Sequence, residues 1–314
     1  MLKYTIQRIL FMLLTLFVII GMCFMLIRML PPAQLDPTDI HKDIIEARRE
    51  AMGYNKPLLV QFGIFLRDVL LHWDWGVSDK LYVGREVFSI FAEKMPATII
   101  VNIYSIILSI PIGILLGIFA ALKKNTWIDH TISTLTMVVI SVPSFVYAFV
   151  IQYIFSYKLG WLPFLMNPGT DYFTWDMFVS MLPAVMSLSF GVIAGFTRTT
   201  RAELTEVLTS EFMLLARTKG LTKAQATIRH AMRNCFVVVI PAIFGEFIGI
   251  LGGSLIIENI FSIPGVGGLT LAAINGRDYP IFMLTTVFYT AIGLAAGLVV
   301  DISYGFIDPR IRMG

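Results

Sequence analysis

Apolar residues in this chain run in long blocks rather than alternate. Six blocks approach the length a helix needs to cross a hydrocarbon core, roughly Ile9–Ile27, Ile99–Leu122, Ile132–Tyr157, Met177–Phe196, Phe236–Ile257 and Ile281–Ile302. None carries the short alternating pattern of a membrane β-barrel strand. The predicted fold class is an all-α polytopic membrane protein with six transmembrane helices. The first block is free of charge and no A-x-A-like site follows it, so it reads as a retained signal anchor.

Two polar intervals interrupt this pattern with helices of their own. Between the first two spans, Ile40–Met52 has helical periodicity with its charges on one side. Leu58–Leu71 reads as a second amphipathic helix at the membrane interface, with Trp73 and Trp75 as anchors. The expected organisation is a first helix (1–30), a small extracytoplasmic helical subdomain (31–95) and a core of five helices (96–314). Inside that core lie a polar module (198–234) and an outer loop (258–280).

The polar module holds the stretch from Ser210 to Asn234, wedged between two apolar blocks. Its first helix starts at Glu211 and ends at Arg217 and Lys219, charges that suit the helix dipole. Gly220 is a natural stop before Leu221. Thr222 with Gln225 forms a capping-box pattern for a second short helix. On the first, Phe212, Leu215 and Ala216 make one small apolar face, suited to insertion into a groove on another protein.

Composition agrees with the pattern: 57% of residues are hydrophobic and 14% charged, against roughly 25% charge in soluble domains. Lys and Arg set the orientation. Lys3, Arg8, Lys123, Lys124, Arg198, Arg201, the Arg217–Arg233 cluster, Arg310 and Arg312 fall on the even connections and the ends. The short odd connections carry only Lys158 and Arg277. Both termini and the polar module are expected to be cytoplasmic, and the net charge of +3 reflects that bias. The basic residues form no aromatic-interleaved patch, so no nucleic-acid site is expected.

Candidate chemistry is sparse. Cys23 and Cys235 sit on different spans and read as free thiols. His41, His72, His130 and His230 lie outside the spans without metal spacing, so no metal site is expected. Glu246 is the one acid in mid-span. It either faces a solute pathway or is hydrogen-bonded within the bundle. Asp301 lies nearer the cytoplasmic end of its span. In the outer loop, Glu258 and Phe261 precede Pro264-Gly265-Val266-Gly267-Gly268, a run expected to turn the chain, and Arg277 and Asp278 lead back to the membrane. A re-entrant or scoop-shaped hairpin is expected. The chain has no phosphate-binding loop and no hydrolase or zinc-protease motif, so it is expected to be non-catalytic.

The order of short words along the chain is more specific. Trp73–Ser78 (WDWGVS), Met95–Ile99 (MPATI), Ser141–Phe145 (SVPSF), Leu159–Pro163 (LGWLP), Ala216–Asn234, Ile257–Leu269 with RDYP, and Asp308–Arg312 (DPRIR) follow in sequence. They resemble the permease subunit of ATP-binding-cassette importers for dipeptides and oligopeptides, in its first-permease form with a long first outer loop. Three positions depart from the pattern: Pro31–Pro37 replaces a shorter P-G-D-P, Thr218 stands where a small apolar residue is usual, and Glu246 where a neutral polar residue is frequent. The family also carries nickel, metal chelates, glutathione and some oligosaccharides. The resemblance implies a type I importer permease fold in the cell (inner) membrane. It implies a second homologous permease, two ATPase subunits holding ATP and Mg, and an extracellular solute-binding protein. The helix at Glu211–Gly220 would be the element the ATPase grips. The rival class, an ATP-independent proton-coupled carrier, would be expected to show several ionisable groups in its spans.

Overall fold

The computed structural model describes residues 2–30, 42–51 and 53–307. The DPRIR word and the Pro31–Pro37 departure lie outside these residues. Among the described residues there is no strand, only an isolated antiparallel bridge between Val77 and Glu86.

Among the described residues, five helical stretches are long and apolar enough to cross a membrane. They belong to α1 (Leu2–Met29), α4 (Val87–Leu122), α7 (Trp175–Leu208), α10 (Met232–Gly249) and α13 (Tyr279–Ile307). The block predicted as the third span is instead broken. Helix α5 (Trp127–Ser141) and helix α6 (Ser144–Ile151), the latter continued by a π-helical turn to Lys158, are bent by 100° at the break. Pro143 explains the break, though not its angle: it has no N–H to give, and it pushes Val142 to extended backbone (φ −99°, ψ 127°). The described residues therefore give six spans only if this bent pair is one of them.

Shorter helices fill the intervals. The first is α2 (Lys42–Ala51), where the Ile40–Met52 helix was expected, although Ile40 and Met52 are outside the described residues. The others are α3 (Leu58–His72), α8 (Glu211–Thr218), α9 (Lys223–Ala226), α11 (Leu255–Ile260) and α12 (Val266–Gly276). The predicted fifth span ends early. Gly253 turns the chain at φ +57°, and Ser254 caps α11 through Oγ on the Ile257 N–H (3.3 Å), so Leu255–Ile257 belong to a new helix.

The chain forms two compact units. One comprises Ile100–Ile250 and Ala296–Gly314, the other Leu2–Ile99 and Leu251–Ala295.

In the first unit α7 is the hub, packed by α5, α6 and α10. The approach of α4 to α7 is set by small residues. A Cβ on Gly113 would lie 2.8 Å from Ile193 O and from Phe196 Cβ, and one on Gly117 would lie 2.6 Å from Thr200 Cβ. The two glycines are one G-x-x-x-G pair, the spacing that lets membrane helices touch backbone to backbone. Hydroxyls join across the same seam: Thr197 Oγ1 donates to Gly113 O (3.2 Å), and the Ser105 and Ser189 hydroxyls lie 3.2 Å apart. Cys235 is buried and free, with its Sγ 3.8 Å from Thr200 O. At the start of α5, fully buried Asp129 takes Arg201 Nε (2.5 Å) and Nη2 (2.9 Å) as a fork, together with the Asn125 N–H (2.9 Å).

In the second unit α3 packs on α1 through aromatic rings. Phe62 lies 5.3 Å and Phe65 5.2 Å from Phe24 between ring centroids. A second cluster joins Val87, Ile90 and Phe91 of α4 to Val266, Leu269 and Ala273 of α12 and to Ile281 and Leu284 of α13.

Two alanine substitutions separate packing from propensity. Gly117→Ala forces α4 off α7 and should cost about 1–3 kcal/mol. Gly195→Ala, whose Cβ would meet nothing within 4 Å, should be neutral or slightly stabilising. Thermal unfolding of the detergent-solubilised chain should show a lowered midpoint for the first variant only.

Candidate functional site: a capped short helix and a hairpin held by carboxylates

Helix α8 is cut to eight residues by its ends. Ser210 begins it in extended backbone, although its Oγ donates to Val207 O (2.6 Å) rather than capping α8. At the other end Gly220 has φ +90°, a region a side chain rarely enters. Two bonds close the turn: Gly220 N donates to Arg217 O (3.0 Å) and Leu221 N to Ala216 O (3.3 Å). The capping box at Thr222 is formed in both directions, Gln225 N to Thr222 Oγ1 (3.2 Å) and Thr222 N to Gln225 Oε1 (3.0 Å).

Two details differ from the sequence expectation. The second short helix is not separate: α9 runs through a π-helical turn (Thr227–Ala231) into α10, because nothing in Ala226–Met232 breaks a helix. The apolar face of α8 is also divided. Met213 and Ala216 are buried at i, i+3, whereas Phe212 is 43% and Leu215 55% exposed. Ala216 therefore anchors α8, and the apolar surface left open is Phe212 and Leu215 with Leu214. Glu211, Arg217, Lys219 and Gly220 are exposed around it.

The α11–α12 hairpin is organised by Glu258, 2% exposed. Its Oε2 accepts from Gly267 N (2.7 Å) and Gly268 N (3.2 Å) at the start of α12. Its Oε1 accepts from Thr98 Oγ1 (2.9 Å) and Ser254 N (3.4 Å). A carboxylate at a helix N-terminus also meets the positive end of the dipole. Thr98 Oγ1 takes the Val266 N–H as well (2.8 Å). This cradle explains the glycine run. A Cβ on Gly265 would lie 2.3 Å, and one on Gly267 2.9 Å, from Glu258 Oε2. The run was expected to be all turn, yet Gly267 and Gly268 form the first turn of α12, where their lack of side chains admits the carboxylate. Burial pushes the Glu258 carboxyl above its usual range, and its hydroxyl and backbone donors pull it back.

Asp278, fully buried, ends the hairpin. Its Oδ2 accepts from Ser78 Oγ (2.5 Å), Lys80 N (3.0 Å) and Leu81 N (3.0 Å). The WDWGVS and RDYP words thus meet in space. Nearby, Asp79 pairs with Arg49 at 2.6 Å, and burial pushes its carboxyl up against the pull of that guanidinium. Phe261 is buried. Pro264 and Arg277 are exposed, Arg277 with the left-handed φ +57°. Glu246 is half-buried on α10. Among the described residues no group of three or more His, Cys, Asp or Glu is placed to hold a metal ion. Sequence reading missed the Asp129–Arg201 pair and the role of Thr98. The position of Asp129 at the head of an apolar helix was the only signal for the pair.

The family described as "Binding-protein-dependent transport system inner membrane component" matches residues 113–313, and its N-terminal companion matches residues 1–102. The chain belongs to this family. It is 32% identical over 313 residues to the dipeptide transport system permease protein DppB of Lactococcus lactis, with 100% of both chains covered. It is 33% identical to the oligopeptide transport system permease protein OppB of Haemophilus influenzae (99% of this chain, 100% of the relative). It is 32% identical to the glutathione transport system permease protein GsiC of Escherichia coli (99% of each). Among solved structures, an amino acid ABC transporter aligns with TM-score 0.53 at 19% identity, over 70% of this chain and 94% of that one. A bacterial ABC transporter for alginate import also aligns with TM-score 0.53, at 14% identity over 86% and 99%. These two likenesses support the permease fold. This family member is thus a multi-pass α-helical membrane permease, and its bonded carboxylates shape the chain between spans.

Glu258→Gln should loosen the hairpin by about 1–3 kcal/mol, because an amide cannot accept at both oxygens. A carboxyl raised by folding stabilises fully below its ordinary pKa of about 4.3 and loses that stabilisation as pH rises through the folded value. Hydrogen exchange at Val266–Leu269, corrected for intrinsic rates, should show protection falling as pH rises above that ordinary value. In Glu258→Gln the dependence should flatten.

Proposed function

We propose that this chain is one of two permease subunits of an ATP-driven importer in the cytoplasmic membrane, forming half of the pathway for di- or oligopeptides. One observation carries the reading: a short helix between two membrane helices, stopped at Gly220, presents Phe212 and Leu215 to the outside amid exposed Arg217 and Lys219. An exposed apolar pair on a rigid helix suits a groove on a partner, and an ATPase subunit is the partner proposed. The chain has no phosphate-binding loop of its own. ATP and Mg would be held by two separate ATPase subunits, each gripping one such helix. The Lys and Arg distribution supports a cytoplasmic side for the α8 end and both termini.

The α11–α12 hairpin then lies on the outer side, with α2 and α3, where an extracellular solute-binding protein would deliver substrate. Pro264 and Arg277 are its exposed contacts in this reading, while Glu258, Phe261, Gly265, Gly267 and Asp278 hold its shape. Peptide is the substrate class supported by relatives that carry dipeptide, oligopeptide and glutathione names. Glu246 is proposed to face the pathway and to favour peptides with a cationic side chain.

Two experiments test this. In proteoliposomes containing the chain with its partner permease, ATPases and binding protein, Phe212→Asp and Gly220→Pro should insert normally. Both should lose peptide-stimulated ATPase activity and uptake by at least about tenfold, the cost of one misplaced contact of about 1.4 kcal/mol. Proline cannot reach the φ of +90° that Gly220 holds. Unchanged coupling in both would overturn the docking role. Glu246→Gln should lower uptake of lysine-containing peptides relative to neutral ones. An equal ratio would return Glu246 to a packing role.

A further inference from the structure

A cavity of 260 Å³ opens within the second unit, at the ends of α1 and α13 beside α3. Phe24, Ile27, Phe65 and Met283 give it an apolar wall. Residues on the remaining wall carry three buried polar atoms with no hydrogen-bond partner among the described residues: Arg28 Nη1, Gln61 Oε1 and Trp75 Nε1. Gln61 is 6% exposed, and its amide nitrogen is already committed to Tyr54 O (3.2 Å) and Lys56 O (2.8 Å). Its oxygen is thus left as an unpaired acceptor on a residue that lines the cavity. The Arg28 guanidinium is held 3.6 Å from the centre of the Tyr54 ring.

Buried polar atoms cost free energy unless something bonds them. The set here is specific: two donors, one of them cationic, then one acceptor, with the carboxylates of Asp68 and Asp74 on the same lining. A ligand that satisfies it must accept at one end, donate at the other and bring an apolar portion. Leu30 follows the last turn of one candidate span and Tyr279 begins another, so the cavity is at the level where headgroups would lie if both helices cross a bilayer. Leu26 and Met29, 66% and 72% exposed, continue an apolar surface along α1 from the same level.

We propose that this cavity binds the headgroup of a zwitterionic aminophospholipid, of the phosphoethanolamine type. Its phosphate oxygens accept from Arg28 and Trp75, and its ammonium donates to Gln61 Oε1 near Asp68 and Asp74. Its acyl chains lie on Phe24, Ile27 and the exposed flank of α1. Asp68 is paired with Arg67 at 2.7 Å, so selection of an ammonium over a headgroup that is only anionic rests on Gln61 Oε1 with Asp74 on the same lining.

The test is native mass spectrometry of the full chain in its membrane complex. After delipidation, the complex is offered phosphatidylethanolamine, phosphatidylglycerol, phosphatidylcholine or inorganic phosphate separately. Phosphatidylethanolamine should be retained above the other three. Trp75→Phe, which keeps the ring and removes only the N–H, should weaken retention about tenfold, as should Arg28→Gln. If Arg28→Gln fails to assemble, Trp75→Phe decides alone. Retention unchanged in Trp75→Phe, equal retention of phosphatidylglycerol, or the same protection by inorganic phosphate would each overturn the proposal.

Discussion

A backbone N–H removed from water must find an acceptor, and this chain meets that demand with side-chain oxygens at several of the breaks between its helices. Glu258 takes the amides that open α12, with Thr98 taking one more. Asp278 takes two amides of the loop before α4. Asp129 takes the Asn125 amide in the turn between α4 and α5. Thr222 and Gln225 exchange bonds where α9 begins. Thr98 and Asp278 hold amides 168 to 198 residues away, so those two connections are tied to distant parts of the chain. The irregular segments are therefore built parts, with defined shapes, and can carry a function that depends on position.

The second constraint is close approach without water to drive it. Between apolar helices in a lipid environment, burial gives little advantage, and association rests on contact and on interhelical polar bonds. Gly113 and Gly117 supply the contact on the α4 side, and Thr197, Ser105 and Ser189 supply the polar bonds. The Asp129–Arg201 fork adds a charge-assisted link from α5 to α7. Because α7 is joined to α8 by only Thr209 and Ser210, the anchoring of α7 also fixes where the exposed pair Phe212 and Leu215 is held. On the other side Gly220 and the capping box remove slack before α10. A short helix tied at both ends transmits displacement better than a loop would, which suits the coupling role proposed for it.

The sequence by itself determined the class of the fold and the places of the short helices α2, α3 and α8. Long apolar runs leave a helix as the one economical way to satisfy the backbone in hydrocarbon, and local signals such as Gly220 and Thr222-x-x-Gln225 act within a single turn. The ordered words identified the family for the same reason, since they are contiguous. Tertiary structure decided what depends on a partner from elsewhere in the chain. Pro143 announces a break, but the 100° bend between α5 and α6 does not follow from proline chemistry. The glycines at Gly265 and Gly267 read as a turn until Glu258 is seen to occupy the space their side chains would fill. The burial of Ala216 and exposure of Leu215, adjacent on one helix, depend on what lies beside α8. Periodicity gives the faces of a helix, and only its neighbours decide which face is covered.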